Sequence, residues 1–379
     1  MTASGVVLPA YGTGSLAELL PSAGAVLGVP GATDVLGLGG LLGDVDRIAV
    51  LLVDGLGAYQ IPVAAPHAPI LTQLAGRTLT SGFPSTTPVS LVTLGTGTPP
   101  GAHGVLGFTV RRPGGAVLNH IQWGTDPDPA AWQPVPTWFE RSGVRTTLVT
   151  RPEFRGTGLT RAAYRGAGFA GAADPYALST AMLAALSKPG LVYGYHPDLD
   201  HHGHGSGIDS DPWRDAAARV GELITRLVEG LPPRAALLVT ADHGQLDIPL
   251  GTRVDLAADP AADPALSAGI AGVAGEPRVR YLHTEAGATD DVVAAYRAVL
   301  GSSAWVLTRE DAIERGLYGP VPPAHLDRIG DVVVICLGTT VVLAGGWEPP
   351  SVGRLVAYHG SVTAAEMTVP LLSFVRPPG

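Results

Sequence analysis

Two apolar runs in this chain end abruptly in carboxylates. Ile48 to Val53 leads straight into Asp54-Gly55, and Ala235 to Thr240 leads through Ala241 into Asp242-His243-Gly244. A carboxylate at the end of a buried strand loses hydration and needs a partner, and a metal ion suits a hard oxygen ligand. A third stretch, His196 to Gly207, follows another apolar run and offers Asp198, Asp200, His201, His202 and His204. Two of its pairings stand four residues apart, Asp198 with His202 and Asp200 with His204, and either brings both side chains to one ion. Thr86-Thr87-Pro88 is the fourth piece. Proline favours the first turn of a helix, so Thr87 falls at a helix N-terminus, where backbone N–H groups and the dipole favour anions. A hydroxyl there becomes a nucleophile once a cation stabilises its alkoxide. His359-Gly360, near the end, adds one more imidazole.

Singly, each piece has an ordinary explanation. Asp54 and Thr87 are good helix caps, a His-rich loop can simply be solvated, and a lone His has many roles. Jointly they converge on one chemistry. Asp54, Asp200, His204, Asp242, His243 and His359 make six oxygen and imidazole ligands, enough for three per ion at two ions. Cys336 is the single cysteine and lies inside the apolar run VVVICLG, so it reads as core and thiolate zinc sites are excluded. The ligand set suits zinc, with manganese as the alternative, in sites that keep open positions. Two such ions about 4 Å apart, with a hydroxyl between them, are a known device for phosphoryl transfer.

The elements that must position these residues alternate along the chain. Ser15 to Glu18 is a capping box that opens a helix to about Leu27. Strands are expected at 48–53, 79–82, 144–150, 191–195 and 235–240, and helices at 69–74, 89–96, 176–186 and 212–229. Apolar runs between helical patterns predict an α/β fold, three layers with a mostly parallel central sheet covered on both faces. The runs DVVVICLG and TTVVLAG predict a late hairpin. The stretch from Pro249 to Asp327, rich in Ala, Asp and Pro, carries shorter strand candidates in RVRYLHT and AWVLTRED. It is expected to be a cap inserted into one catalytic domain spanning 1–379.

Composition bounds the partners. The 379 residues are 46% hydrophobic and 15% charged, with a formal net charge of -9 and Lys188 as the only lysine. That balance argues against a nucleic-acid polymer or an anionic membrane surface, and leaves a small anionic substrate whose charge metal cations would meet. No secretory pattern and no run of about 20 apolar residues is visible, so the default expectation is the cytoplasm. Oligomeric state is not legible.

With these residues in place, the chain resembles the alkaline phosphatase superfamily, and within it the type I phosphodiesterase/nucleotide pyrophosphatase family. The order is an Asp ending the first strand, Phe83-Pro84 before Thr87, Asp200-His201-His202-Gly203-His204 with Gly207, Asp242-His243-Gly244, then His359-Gly360. The resemblance prefers Asp200 and His204 to Asp198 and His202, and Thr87 to Thr86 as nucleophile. It implies one metal held by Asp54, Asp242, His243 and the Thr87 oxygen, and another by Asp200, His204 and His359. It implies hydrolysis of a small phosphodiester through a phospho-threonine intermediate. The family's Asn three positions after the nucleophile is Ser90 here, a departure that bears on nucleotide specificity; the Ser hydroxyl or a backbone N–H is expected to substitute in the contact to a phosphoryl oxygen. Alternatives within the superfamily are a phosphomonoesterase, a phosphonate hydrolase or a phosphoryl transferase; a metal-binding module without turnover is the alternative of another class.

Overall fold

The computed structural model describes residues 5–256 and 266–376. Part of the expected inserted cap, residues 257–265, therefore lies outside the described residues. Six central-sheet strands come early: β1 (Arg47–Val53), β2 (Ala75–Thr80), β3 (Thr146–Thr150), β4 (Gly168–Gly171), β5 (Gly190–His196) and β6 (Ala235–Thr240). A second sheet takes β7 (Ile270–Glu276), β8 (Val279–Thr284), β9 (Ala304–Thr308) and β10 (Val332–Cys336), and β11 (Thr368–Val375) returns to the first.

The central sheet runs in the order β2-β11-β6-β1-β5-β3-β4. Every neighbour from β6 to β4 is parallel, and only β11 is antiparallel to its two partners. The expectation of a mostly parallel α/β sheet holds. β5 and β6 are buried at every position and β1 at all but its first, which is what a parallel sheet covered on both faces requires. Their Val, Leu and Ala runs carry almost no polar side chain to pull either face toward water.

Topology gathers the chemistry. β6, β1 and β5 are adjacent, with Leu52 opposite Thr240 and Val53 opposite His196. Parallel neighbours end at the same edge about 4.8 Å apart. Asp54, Asp242-His243 and the segment after His196 are thus delivered side by side. β2 ends at that edge too, because it is antiparallel to β11, and leads toward Thr87. β11 begins there, which brings in the preceding segment with His359. In parallel α/β sheets, functional groups collect beyond the carboxyl ends of the strands.

The expected capping box at Ser15 and Glu18 is present, ahead of α1 (Leu19–Val26). The predicted hairpin of DVVVICLG and TTVVLAG is not formed. β10 pairs instead with β8 and β9, while Val341–Leu343 pairs with Arg253–Asp255. Adjacency in sequence suggested a hairpin, but β10 fills the slot between two other strands of the second sheet. RVRYLHT and AWVLTRED do supply strands, as β8 and β9. Cys336 is buried at the end of β10.

Candidate active site

α2 (Thr87–Thr96) is fully buried, ends at Gly97 in the left-handed conformation, and starts with Thr86 as N-cap in extended backbone. The cap is therefore Thr86, and Thr87 is the first helical residue, one position inside the place expected for it. Thr87 Oγ1 lies 3.1 Å from His243 Nε2. Thr86 Oγ1 is buried with no hydrogen-bond partner among the described residues.

α3 (Asp198–Ser206) follows β5 directly and puts Asp200 and His204 one turn apart, with His204 Nε2 3.4 Å from Asp200 Oδ2. The competing pair points elsewhere: Asp198 is taken by Arg151 and lies 3.7 Å from His196. His359 completes this group, with Nε2 3.1 Å from His204 Nε2 and 3.7 Å from Asp200 Oδ1.

The second group centres on His243. Its Nε2 lies 3.5 Å from Asp54 Oδ1 and 3.3 Å from Asp242 Oδ2. The His243 and His359 rings stack at 3.5 Å between centroids and 12° between planes, so His243 sits between the groups. Among the described residues, three-membered sets with converging ligand atoms are Asp54-Asp242-His243 and Asp200-His243-His359. A tetrahedral ion with arms of about 2.0–2.1 Å has ligands about 3.4 Å apart. The spacings in both groups match that edge.

Proton bookkeeping gives an independent test of whether a cation fits. Nδ1 of His204 meets the Ala357 carbonyl at 2.8 Å, Nδ1 of His359 meets the Ser85 carbonyl at 2.9 Å, and Nδ1 of His243 meets the Gly244 carbonyl at 3.3 Å. A carbonyl only accepts, so each Nδ1 carries the proton and each Nε2 presents a lone pair inward. Asp54 Oδ1 and Asp242 Oδ2 are buried without any hydrogen-bond partner. Apart from the Thr87 hydroxyl at its edge, the inward-facing atoms of these ligand residues are acceptors, and divalent cations fit the centre. Burial first, then the neighbouring Asp242 and Asp200, push the Asp54 carboxyl well above its usual range. Burial also raises Asp242 to about 6 and lowers His243 to about 4. Charge of either sign is unfavourable there until an ion compensates the carboxylates.

Two supporting residues were not legible in the sequence. The Tyr195 hydroxyl, from β5, donates to Asp54 Oδ2. Gln245 Nε2 donates to Asp200 Oδ1 and to the Asp200 carbonyl, and Gln60 Nε2 donates to the Gln245 carbonyl at 2.8 Å. The packing is close enough that Gly203 cannot gain a side chain: a Cβ there would stand 1.9 Å from Gln245 Oε1. Gly55, at φ +74°, lets the strand turn while Asp200 passes, since a Cβ would stand 3.0 Å from Asp200 Cα. Asp242 Oδ1 accepts from the Gly55 and His243 N–H groups at 3.1 Å each, which fixes the carboxylate and leaves Oδ2 inward.

Ser90 departs from expectation. Its hydroxyl bonds Ser81 Oγ at 2.8 Å, Ser81 donates to the Asp242 carbonyl, and Ser90 is fully buried. It does not line the cavity over the site, so its placement gives no support to a substrate contact. Its hydroxyl is engaged by Ser81, which in turn is tied to the backbone of Asp242. His103 is buried with Nε2 3.0 Å from Thr93 Oγ1.

A cavity of about 800 Å³ opens over Asp54, Thr87, Asp200, His204 and His359. Its walls include Phe108, Val117 and Ile121 on one side, Trp347, Leu355 and Tyr358 on another, and residues 273–277 from the end of β7. The cations that line it are committed. Arg151 pairs with Asp198, and Arg280 pairs with Glu348 while donating to the Val342 carbonyl at 2.6 Å. Arg155 lies over the Phe169 ring and away from the cavity. No helix among the described residues is long and apolar enough to cross a membrane.

Comparison with known proteins meets this geometry. Residues 48–362 match the model of the type I phosphodiesterase / nucleotide pyrophosphatase family. Murine ectonucleotide pyrophosphatase/phosphodiesterase 5, solved as an inactive variant with AMP, is 18% identical with a TM-score of 0.67, over 86% of this chain and 87% of that one. Phosphonoacetate hydrolase from Sinorhizobium meliloti 1021, solved with phosphonoformate, is 19% identical with a TM-score of 0.61, over 87% of this chain and 90% of that one. No curated protein sequence matches.

Proposed function

The chain belongs to the type I phosphodiesterase/nucleotide pyrophosphatase family, metal-dependent hydrolases of phosphoric ester bonds in the alkaline phosphatase superfamily, and from that membership we propose a two-metal phosphodiesterase acting through Thr87. Asp54, Asp242, His243 and the Thr87 oxygen would hold one divalent ion, and Asp200, His204 and His359 the other, with zinc the metal that best suits this donor set. When bound, the ions supply the positive field that favours a deprotonated hydroxyl and stabilises charge on the phosphoryl oxygens.

This chain's residues do the rest. Thr87, held in the first turn of a buried helix, gives up its Oγ proton to water and attacks phosphorus; the new Oγ–P bond forms as the bond to the leaving group breaks, and the departing oxygen takes the electron pair and a proton from water. Water then displaces Thr87 from the phospho-threonine and returns the phosphate product. Tyr195 and Gln245 hold Asp54 and Asp200 in register throughout. The observation that carries this reading is the Thr87 hydroxyl 3.1 Å from His243 Nε2, at the edge of a cluster made only of acceptors. The committed arginines favour a diester, which brings one negative charge, over a monoester, which brings up to two.

The assay is hydrolysis of bis-p-nitrophenyl phosphate, p-nitrophenyl phosphate and phosphonoacetate by zinc- or manganese-loaded protein. Thr87→Ala should lower diester turnover by roughly 10³-fold or more with metal content unchanged. A preference for the monoester or the phosphonate would overturn the diester assignment. Activity that survives Thr87→Ala but not Thr86→Ala would move the nucleophile by one residue.

A further inference from the structure

The segment from Ser81 to Thr87 carries the candidate nucleophile, and its tethers come from both ends of the chain. On the C-terminal side, the Met367 carbonyl accepts the Ser81 N–H at 2.8 Å, the Gly360 carbonyl accepts the Ser85 N–H at 2.8 Å, and the Ser361 carbonyl accepts the Ser85 hydroxyl at 2.7 Å. On the N-terminal side the tether is a side chain: the Tyr11 hydroxyl accepts the Phe83 N–H at 3.0 Å.

Tyr11 belongs to a strap at the start of the chain. The Val7 N–H donates to the Val362 carbonyl at 2.8 Å, the Gly5 carbonyl accepts the Ala364 N–H at 2.6 Å, and the Gly14 carbonyl accepts the Thr80 N–H at 2.9 Å. The Ala10 N–H donates to the Thr80 hydroxyl at 2.8 Å. The strap therefore crosses both the segment that follows His359 and the segment that leads to Thr87. It lies outside residues 48–362, which the family model matches.

The Tyr11 hydroxyl both accepts and donates. While it accepts from Phe83 it gives its proton to the Leu317 carbonyl at 3.1 Å. Desolvation pushes this hydroxyl above its ordinary range, so it keeps that proton at working pH. The neighbouring Tyr318 ring packs on Phe83 at 5.3 Å between centroids, and its hydroxyl lies 3.1 Å from that of Tyr281, which donates to the Leu106 carbonyl at 2.6 Å. Phe83 is fully buried, so loss of the Tyr11 oxygen leaves its N–H unpaired or moves it toward another acceptor. Pro84 fixes its own φ and passes such a shift on toward Thr87 rather than absorbing it.

We propose that Tyr11 is a positioning residue for the nucleophile: its hydroxyl pins Phe83 between the strap and the Leu317 segment, and so sets where the Thr87 hydroxyl stands against the metal ligands. The inference rests on the reading of Thr87 as nucleophile and adds a residue to that machinery.

The test is Tyr11→Phe, which removes one oxygen and keeps the ring. With bis-p-nitrophenyl phosphate and zinc-loaded protein, kcat should fall about 10–100-fold, the cost of displacing a reacting group by up to about 1 Å. KM and bound zinc should hardly change, because substrate and metal binding do not use this bond. Hydrogen exchange at the Phe83 amide should speed up. Tyr318→Phe is the control. It removes a hydroxyl from the same cluster without touching the Phe83 N–H, and should lower the melting temperature comparably while kcat stays near that of wild type. A merely structural Tyr11 would lower the melting temperature and leave kcat alone while the protein is folded, which overturns the proposal. Equal losses of kcat in the two variants would overturn it too, since they would report a loosened cluster. So would an unprotected Phe83 amide in folded wild type, a result that needs no variant. A wild type that hydrolyses no ester sinks the diesterase reading and this one with it, whereas a fully active Tyr11→Phe sinks this one alone.

Discussion

Two buried charged clusters sit close together in this molecule and obey opposite rules. Arg278 and Glu366 are completely buried and satisfy each other: Nε and Nη2 donate to Oε1 and Oε2 at 2.9 and 2.6 Å, and Glu366 also accepts from the Ser361 N–H and the Thr363 hydroxyl. Donors and acceptors balance within the chain. The cluster of Asp54, Asp200, Asp242, His204, His243 and His359 is nearly as buried but holds only acceptors at its centre. Burial alone therefore does not mark a functional site. The surplus of one sign does, because the chain folds with a debt that only a ligand can settle.

The sharpest way to break the contrast is at the balanced pair. Arg278→Met leaves Glu366 charged and unpaired, and should cost about 3–5 kcal/mol, read as a lower urea midpoint whether or not metal is present. Chelation should act on the other cluster. Removing divalent ions should lower stability by about 2.7–4.1 kcal/mol if they are present at 100 to 1,000 times their dissociation constant. In the chelated protein Asp54→Asn should be as stable as wild type or more so, since it removes a carboxylate that burial disfavours, whereas in the loaded protein it should be less stable. Equal effects in both states would mean that Asp54 meets no ion.

Smaller effects sharpen the picture. Gln245→Ala frees the Asp200 carboxylate and should weaken metal affinity about 10–100-fold, measured by competition with a chromogenic chelator, with little change in the metal-free melting temperature. The last effect concerns Glu276. Its folded-state pKa of about 8 lies above the unfolded value, so the folded state holds the proton more tightly. That stabilisation is complete below about pH 4.5 and is lost as pH rises toward 8. Glu276→Gln should therefore gain on wild type in melting temperature between pH 5 and 8, and parallel profiles would show that the carboxyl is not held in this way.

Much of the site was legible because polar residues interrupted strong patterns. Asp54 and Asp242 end apolar runs, and Asp200 and His204 share a face at i, i+4. Choosing them over Asp198 and His202 needed either the family order or a view of Arg151, which takes Asp198. Tyr195 hid because an aromatic in a buried strand reads as core. Gln245 hid because an amide after a glycine turn reads as loop. Glu276 ends an apolar run just as Asp54 does, but that run was short and broken by glycines. Ser90 stands at i+3 from Thr87, but its hydroxyl is bonded to Ser81, a partner the spacing does not show. The sheet's parallel character followed from uniformly apolar strands. The false hairpin came from trusting proximity in sequence, where pairing in the second sheet is long-range.

His359 hydrogen-bonds Ser85 across 274 positions, and His204 meets His359 across 155. No short segment of this chain holds half of the ligand atoms in place, and closing such long loops comes late because the entropy of the connecting chain must be lost first. A ribosome-bound fragment that stops short of residue 359 has the early carboxylates but not the imidazole that faces them. Capture of metal by the complete set thus waits for the long-range pairing, and a pulse-labelled chain should acquire it only after β11 has joined the sheet.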